Sequence, residues 1–553
     1  MKLKNKLILW TVPLICTCVN PGRAAPPGVG IIPKPAHIEV HDGSFRFTPR
    51  TEILVQKGSA DARPPARLLA ALLKRGAGFE LRVGESAKAG PVKGAVFLTT
   101  LNAPANLGTE GYDLTVNPDS IVIRAPHQAG LFYGVQSLRQ LLPVEVETAL
   151  AQREISWSVP CVAIEDKPRF PWRGLLLDSA RHFFPTESVK CFIDLMALYK
   201  FNTLHWHLVD DQCWTVPIDA YPNLTRTGVR GGPYRTLNGT WMGLGNGEGS
   251  GRFYTKDELR EIVRYAAARQ ITIVPEIEMP GHSAALLASY PELLCTSHAK
   301  PPLPELGTHG TYTKNVAWDA YREVCVGNEK TFEMLQTILS EVMEVFPGPF
   351  VHIGGDEAQK RGWQNCECCQ ARIREAGLKN VEELQSYFVK RIGKFIQGKG
   401  RRLVGWDEIM QGGLADDAVV MSWTGIKPGQ EAARKGFNVV FSPTSHCYFD
   451  ASWQSIPTQK VYAFEPLVGL DPQEAKHVLG VQGNLWAEKI SDLKELEYQA
   501  FPRACALAEV GWSVGAQRSW DEFRPRLGAQ LKRLEALEVN YCREETPGAP
   551  PKR

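Results

Sequence analysis

The amino-acid sequence predicts an α/β protein in which a (β/α)8 barrel, the TIM barrel, follows a small α/β domain. Its 553 residues are too many for one ordinary hydrophobic core, so two domains are expected. From Arg173 onward, short apolar runs alternate with amphipathic segments, which is typical of parallel strands and the helices that cover them. Polar or aromatic residues follow nearly every run, as they do at the functional rim of a barrel.

The composition is typical of a soluble globular protein and argues against some partners. Apolar residues make up 44% of the chain and charged residues 22%, which excludes general disorder. The formal net charge is +3 and no basic run is present, so nucleic acid and acidic membrane surfaces are poor partners. The 14 tryptophans suit stacking on sugar rings, although a large protein also buries tryptophan in its core.

The first 25 residues show the order of features that defines a secretory signal peptide. Three lysines precede an apolar run over Leu7–Val19, and the small residues Ala24 and Ala25 follow. No later stretch approaches the ~18 uninterrupted apolar residues of a membrane span. We therefore expect a secreted or periplasmic protein without a membrane span.

Residues 26–165 are expected to form the small α/β domain, which supports the barrel and carries no candidate catalytic residue. Two apolar runs, Gly111–Val116 and Ile121–Ala125, flank the turn-forming segment Asn117–Ser120 and predict a hairpin. Gly130–Leu142 has the spacing of a helix and ends before Pro143.

Residues 166–545 are expected to form the barrel. Its eight strands are predicted at Gly174–Asp178, Thr203–Val209, Thr272–Ile277, Phe350–Gly354, Leu403–Trp406, Val419–Trp423, Val439–Ser442 and Leu479–Leu485. Helices are predicted between them at Glu187–Lys200, Asp257–Arg269, Lys330–Phe346 and Val381–Ile396. The second of these helices begins with a capping box formed by Thr255 and Glu258. A doubly wound open sheet fits less well, because no glycine-rich phosphate-binding turn follows a strand.

The sharpest candidate for a reaction centre is the segment His352–Glu357. Its adjacent carboxylates, Asp356 and Glu357, follow a Gly-Gly pair, which lets the backbone turn where side chains would obstruct it. An ordinary retaining glycosidase holds two carboxyls about 5 Å apart on opposite sides of the bond, whereas neighbours on one strand start toward opposite faces. The pair is therefore better suited to contacting different parts of one sugar.

The segment His352–Glu357 resembles the signature of the family 20 β-N-acetylhexosaminidases, in which the Asp-Glu pair ends the fourth barrel strand. Other segments resemble the same family and together span most of the mature chain: Trp172–Gly174 with Asp178 and Arg181–Phe183, His205–Asp211, Pro280–His282, Gly405–Glu408, the segment of Tyr448 and Asp450, and Leu485–Glu488. The region before the barrel is similar to the family's small α/β domain. The resemblance implies a cofactor-independent glycoside hydrolase that removes terminal non-reducing GlcNAc or GalNAc from an oligosaccharide or glycoconjugate.

The resemblance also implies the roles of the candidate residues. Glu357 is expected to act as general acid and then as base, while Asp356 orients the substrate's 2-acetamido group, whose carbonyl oxygen is the nucleophile that forms an oxazolinium ion. His282 and Asp210 are expected to form a relay behind Glu357. The remaining residues are expected to hold the sugar: Tyr448 at the acetamido carbonyl, Trp406, Trp423 and Trp486 around the N-acetyl group, and Arg173, Asp450 and Glu488 at ring hydroxyls.

Two other functions must be distinguished from this hydrolase. A carbohydrate-binding protein could keep the pocket and lack catalysis, although every expected catalytic residue is present here. A metal-dependent barrel hydrolase could hold zinc with His205 and His207, which share one strand face. The family resemblance implies no metal, and ordered histidines behind the site also account for this pair.

The cysteines raise a separate question. Cys366, Cys368 and Cys369 are clustered in the sequence, but no second Cys or His pair lies nearby at a spacing that would complete a metal site. A local disulfide or free thiols are therefore expected there, without a metal. The placement of a bridge in relatives implies a Cys295–Cys325 disulfide in the loop after the third strand, and export permits it.

Overall fold

The computed structural model describes residues 29–152, 154–228, 252–295 and 323–543, together with two short strands at 234–235 and 241–242. The signal peptide predicted for residues 1–25 lies outside the described residues. A mixed seven-stranded sheet forms the first domain, and a closed eight-stranded barrel forms the second. The predicted fold class is confirmed.

The first domain is built on the strand order β1-β7-β5-β6-β4-β2-β3. The strands are β1 (His37–Arg46), β2 (Glu52–Gln56), β3 (Val83–Ser86), β4 (Ala95–Thr99), β5 (Tyr112–Asn117), β6 (Ser120–Arg124) and β7 (Ser158–Asp166). β5 and β6 pair antiparallel, which confirms the predicted hairpin. The helices of this domain are α1 (Arg63–Ala77) and α2 (Gln128–Leu141).

The helix α2 is the one predicted at Gly130–Leu142, and it is buried on every side from Gly130 to Leu141. It packs between the sheet and the barrel: Gln140 donates to the backbone oxygen of Leu198 at 3.0 Å and accepts from Gln530 at 3.0 Å. The buried polar side chain of Gln140 therefore finds hydrogen-bond partners in the barrel, as buried polar groups require. The two domains therefore share a continuous core.

Eight parallel strands close the barrel. They are β8 (Trp172–Asp178), β9 (Thr203–His207), β12 (Thr272–Glu276), β13 (Phe350–His352), β14 (Arg402–Trp406), β15 (Val419–Ser422), β16 (Asn438–Phe441) and β17 (Val478–Leu485). All eight predicted strands are confirmed. The short pair β10 (Tyr234–Arg235) and β11 (Trp241–Met242) lies outside the barrel.

Helices surround the barrel. They are α3 (Thr186–Leu198), α4 (Asn223–Arg226), α5 (Lys256–Ala267), α6 (Ala284–Ser289), α7 (Glu329–Val345), α8 (Arg361–Asn365), α9 (Glu367–Glu375), α10 (Val381–Gly398), α11 (Lys427–Arg434), α12 (Thr458–Tyr462), α13 (Leu493–Ala500), α14 (Arg503–Trp512) and α15 (Trp520–Ala536). The four predicted helices correspond to α3, α5, α7 and α10. The predicted capping box is present: Thr255 accepts from the N–H of Glu258, whose carboxylate accepts from the N–H of Thr255. Within the described residues, no helix combines the length and apolar character needed to cross a bilayer.

The predicted Cys295–Cys325 disulfide is wrong for this structure. Both residues carry free thiols, and the Sγ of each lies close to the Sγ of Cys369, at 3.9 and 3.7 Å. The fold brings the loop after β12 against the first turn of α9, so these two cysteines have additional sulfur neighbours.

A buried ion pair joins the two domains. The Lys200 ammonium lies 3.0 Å from Asp166 Oδ2, and both side chains are fully buried. The Tyr112 hydroxyl accepts from Lys200 at 2.9 Å and donates to Asp166 at 2.7 Å, while Trp512 Nε1 donates to the other Asp166 oxygen at 2.8 Å. Burial lowers the pKa of Lys200, and the charge of Asp166 opposes that effect. Each charge therefore depends on the other to remain buried.

We predict that Lys200→Met destabilises the protein by about 3–5 kcal/mol, because it leaves the Asp166 carboxylate buried without its countercharge. The matched control is Lys435→Met. Lys435 pairs with Glu431 at 2.6 Å on the surface, with side chains 58% and 60% exposed, so its loss should cost less than about 0.5 kcal/mol. Urea denaturation followed by tryptophan fluorescence measures both variants. Equal stability of the two variants would contradict the inferred role of the pair.

Candidate active site

Ten of the eleven predicted site residues lie at the rim formed by the carboxyl ends of the barrel strands. They are Asp210, His282, Asp356, Glu357, Trp406, Trp423, Tyr448, Asp450, Trp486 and Glu488. Each residue ends a barrel strand or follows it by a few positions, so closure of the barrel collects them around one opening.

The backbone after β13 turns sharply before the two adjacent carboxylates. Gly354 and Gly355 have φ values of +66° and +93°, and Glu357 has φ of +46°. A Cβ on Gly354 would lie 1.6 Å from Oε2 of Glu278, so any other residue there requires the buried Glu278 carboxylate to move. The turn separates the pair: the Asp356 side chain is 13% exposed and that of Glu357 is 50% exposed. The neighbours therefore face different environments, one enclosed and one open.

His282 lies between two pairs of carboxylates. Its Nε2 is 3.4 Å from Glu357 Oε2 and 3.6 Å from Asp356 Oδ2. Its Nδ1 is 3.2 Å from both Asp210 Oδ1 and Asp211 Oδ2. Burial lowers the pKa of His282, but the surrounding carboxylates outweigh burial and hold that pKa well above its usual value. This raised pKa favours the imidazolium form of the ring, which contacts the acidic pair directly.

Arg181 contacts Asp210, the residue at the opposite end of this series of contacts from Glu357. Its Nη2 lies 2.6 Å from Asp210 Oδ2 and 3.9 Å from Glu488 Oε1, and its Nη1 lies 3.1 Å from Asp178. Burial raises the pKa of Asp210, but the charges of Arg181 and His282 outweigh burial and hold the pKa well below its usual value. The guanidinium also lies 5.0 Å from the Trp486 ring. The family motif contains Arg181, but the sequence-based interpretation gave it no role.

The assignment of Arg173 to the sugar hydroxyls is wrong. Arg173 lies near the start of β8, at the opposite end of the barrel, and only 1% of its surface is exposed. Its Nη1 and Nη2 donate to the two Glu110 oxygens at 3.0 and 2.7 Å, and its Nε donates to the Lys200 backbone oxygen at 2.9 Å. The Arg173 guanidinium therefore joins the two domains.

Aromatic rings form the wall of the pocket. The Trp406 ring centroid lies 5.7 Å from that of Trp486 and 6.5 Å from that of Trp423. Trp423 stacks on Tyr448, with centroids 6.0 Å apart and planes inclined by 24°. Trp406 Nε1 donates to Glu276 at 2.8 Å, and this hydrogen bond fixes the orientation of the indole. The four rings define an apolar enclosure of the kind that suits a small methyl-bearing group.

Several carboxyl groups beside these rings have raised pKa values. Burial raises the pKa of Asp356, although the charge of His282 opposes it. Burial and the charge of Asp356 raise the pKa of Glu408 to about 7, and burial with the charge of Glu488 raises that of Asp450 to about 7. Oδ1 of Asp356 and Oδ1 of Asp450 are both buried without a hydrogen-bond partner among the described residues. Buried acceptors of this kind are suited to donors on a ligand.

Below the rim, Glu276 connects the barrel interior to the relay. Its oxygens lie 2.8 Å from His352 Nδ1 and 3.1 Å from His205 Nε2, and it also contacts His207 Nδ1. His207 Nε2 lies 3.0 Å from Asp210. Burial lowers the pKa of His207, but the charge of Glu276 outweighs burial and raises it to about 10. These contacts place His205 and His207 in one buried network of histidines and carboxylates, and they add Glu276 to the residues that sequence reasoning missed.

Comparison with protein families finds matches along most of the chain. Residues 170–514 match the model described as glycosyl hydrolase family 20, catalytic domain, and residues 28–167 match glycosyl hydrolase family 20, domain 2. A beta-hexosaminidase of Porphyromonas gingivalis is 38% identical over 530 residues, which cover 93% of this chain and 64% of the relative. The chain therefore spans a little under two thirds of that relative's length.

Solved structures show the same similarity. The GH20 beta-N-acetylhexosaminidase of Streptomyces coelicolor A3(2) superposes with a TM-score of 0.79 at 34% sequence identity. The superposition covers 95% of this chain and 99% of the Streptomyces chain. The GH20 exo beta-N-acetylglucosaminidase of Vibrio harveyi, determined in complex with N-acetylglucosamine, gives a TM-score of 0.79 at 31% identity, with 93% of this chain and 78% of its own covered.

We predict that Gly354→Ala is far more disruptive than Gly377→Ala. Both glycines have nearly the same backbone, with φ of +66° and +65°, so alanine costs each a similar 1–2 kcal/mol or so of backbone strain. A Cβ has open space at Gly377 but overlaps the Glu278 carboxylate at Gly354. Thermal unfolding midpoints should therefore fall much further for Gly354→Ala. Equal midpoints for the two variants would show that the turn tolerates a side chain.

Proposed function

The chain belongs to glycosyl hydrolase family 20, and on that premise we propose that it is an exo-acting β-N-acetylhexosaminidase. It removes terminal non-reducing GlcNAc or GalNAc from an oligosaccharide or glycoconjugate, with retention of configuration. The observation that carries the proposal is the pair of carboxylates after β13: the Asp356 side chain is 13% exposed, that of Glu357 is 50% exposed, and both lie within 3.6 Å of His282 Nε2. The names of the matched relatives support the same activity.

Glu357 is the general acid of the first step. Its carboxyl group gives a proton to the glycosidic oxygen as the bond to the anomeric carbon breaks, and the resulting carboxylate later takes a proton from the attacking water. The half-exposed side chain leaves room for the departing alcohol and the incoming water. His282 lies 3.4 Å from this carboxylate, so the relay through Asp210 stabilises its charged form between the two steps.

The substrate supplies the nucleophile. The acetamido carbonyl oxygen bonds to the anomeric carbon as the leaving group departs, and the product is a bicyclic oxazolinium ion. Asp356 accepts the acetamido N–H and stabilises the developing cation through its buried Oδ1. At an effective dielectric of 20, a carboxylate ~4 Å from that cation contributes on the order of 4 kcal/mol. That is about three decades in rate if the gain is confined to the transition state.

Other rim residues position the sugar. Tyr448, stacked on Trp423, is placed to donate to the acetamido carbonyl while the tryptophans enclose the methyl group. Asp450, whose Oδ1 lacks a described partner, and Glu488 are placed to accept from ring hydroxyls. Arg181 takes the place that the sequence gave to Arg173, because it lies at the correct end of β8 and contacts Glu488 at 3.9 Å.

We also propose that the protein is exported by its first 25 residues. Their charged start, short apolar run and small residues at positions 24 and 25 support this localisation.

We predict that Glu357→Gln still binds substrate but turns over natural glycosides roughly 10²–10⁴-fold more slowly, which is the usual loss when a general acid is removed. Substrates with good leaving groups need less protonation, so their first step should suffer less. Glu333→Gln, on the exposed face of α7, is the matched control and should retain full activity. Steady-state kinetics with a disaccharide and a nitrophenyl glycoside make the comparison. Wild-type rates on both substrates would remove Glu357 from this role and would favour a different acid.

We predict that activity requires the 2-acetamido group. Nitrophenyl glucosides and galactosides should be nearly inert beside the matching N-acetylglucosaminide, because their 2-hydroxyl cannot form the bicyclic intermediate. A thiazoline mimic of that intermediate should inhibit strongly, and Asp356→Asn should weaken its inhibition. Progress-curve assays measure each effect. Trapping a covalent glycosyl-enzyme on an Asp or Glu would overturn the mechanism, and tight sugar binding without hydrolysis would support the binding-protein alternative.

A further inference from the structure

Four buried cysteines from separate segments meet away from the rim. Cys295 lies just before the gap in the described chain, Cys325 precedes α7, Cys366 caps α9 and Cys369 lies in its first turn. Their residues are 4%, 1%, 0% and 0% exposed. All four Sγ atoms lie within 4.8 Å of one another. Cys295 and Cys325 lie far from Cys366 and Cys369 in the sequence, so it is the fold that brings the four sulfurs together.

Three of the six Sγ–Sγ distances lie close to the edge length of a zinc–thiolate tetrahedron. Sγ of Cys325 lies 3.6 Å from that of Cys366 and 3.7 Å from that of Cys369, and Sγ of Cys295 lies 3.9 Å from that of Cys369. Four thiolates around Zn²⁺ at about 2.3 Å stand about 3.8 Å apart. A disulfide needs sulfurs at about 2.0 Å. The observed spacing therefore matches a metal site rather than paired bridges.

The surrounding backbone is shaped to hold these sulfurs. A Cβ on Gly327 would lie 2.1 Å from the backbone carbon of Cys368, so glycine lets the segment after Cys325 pack directly against the Cys366–Cys369 turn. The N–H of Asn328 donates to the backbone oxygen of Cys325 at 3.2 Å, which closes the turn that carries Cys325. Close packing of the two backbone segments is what holds the four sulfurs together.

We propose that Cys295, Cys325, Cys366 and Cys369 bind one Zn²⁺ in a structural site. The four thiols release four protons and become thiolate ligands, so no coordination position remains for substrate or water, and the metal takes no part in the chemistry. Thiolate ligands in tetrahedral geometry select zinc among the common divalent ions. The Cys366-x-x-Cys369 spacing is that of one half of such sites.

The site joins the two loops that carry the reactive residues. Val324, beside Cys325, donates its backbone N–H to the Pro280 oxygen at 3.0 Å and accepts from Trp363 Nε1 at 2.9 Å. Pro280 belongs to the loop that carries His282, while Trp363 lies in α8, just after Glu357. Zinc therefore clamps the His282 loop to the Glu357 segment.

The test is metal analysis of the tag-free mature protein, purified without chelator or reductant. We expect about one zinc per chain by mass spectrometry of the metals, four thiols that react with Ellman's reagent only after denaturation with EDTA removes the zinc, and the intense absorption of tetrahedral thiolate sites after Co²⁺ exchange. A native mass lighter than the reduced chain by four hydrogen atoms would overturn the proposal in favour of two disulfides, which an oxidising compartment favours. Four free thiols without metal, or iron in place of zinc, would overturn it as well.

Substitution supplies the matched comparison. Cys369→Ser should lose the zinc and unfold at a lower temperature, whereas Cys447→Ser, at a fully buried cysteine outside the cluster, should keep one zinc per chain. Zinc retained at full occupancy by Cys369→Ser would contradict the assignment. Glu357→Gln should also keep its zinc, which separates the metal site from the proposed hydrolysis. If Cys369→Ser does not fold, the metal content and cobalt spectrum of the unaltered protein decide the question.

Discussion

The positive charge of His282 is the constraint on which the acidic rim depends. Four carboxylates surround the ring, and they could not all remain ionised in a buried site without a countercharge. Glu278 shows how strongly burial acts here: burial and the charge of Asp356 raise its pKa well above the usual value, although the charge of His282 opposes that shift. His282 contacts Asp356 and Glu357 on one side and Asp210 on the other, so it couples the charge states of residues from three strands.

The network continues inward from this cation. Arg181 stabilises Asp210, Asp210 orients His207, and His207 shares Glu276 with the buried histidines of the barrel. The same glutamate fixes the indole of Trp406. Glu276 therefore contacts both the histidine network behind the rim and the tryptophan that shapes the pocket.

The sequence predicted the barrel because its strands are buried on both faces and appear as short apolar runs, and it predicted the rim because polar groups follow those runs. It assigned the wrong arginine for a physical reason. Arg173 lies near the start of β8, and Arg181 lies just after its end. The sequence does not reveal that Arg173 pairs with Glu110, 63 residues away. The cysteines were misjudged for a related reason: Cys295 and Cys369 are 74 residues apart, and no local spacing reports that they meet. Glu276 was missed because an acidic residue inside a strand has no signal without its histidine partners.

The contacts at the amino end of the barrel have a consequence for how this protein can be inherited. Arg173 and Lys200 belong to the barrel, yet their carboxylate partners Glu110 and Asp166 come from the sequence that precedes β8. A recombination event that transferred the barrel alone would expose two cations shaped for absent partners, together with the apolar surface that α2 covers. Selection is therefore expected to keep the gene segment for the small sheet together with the one for the barrel.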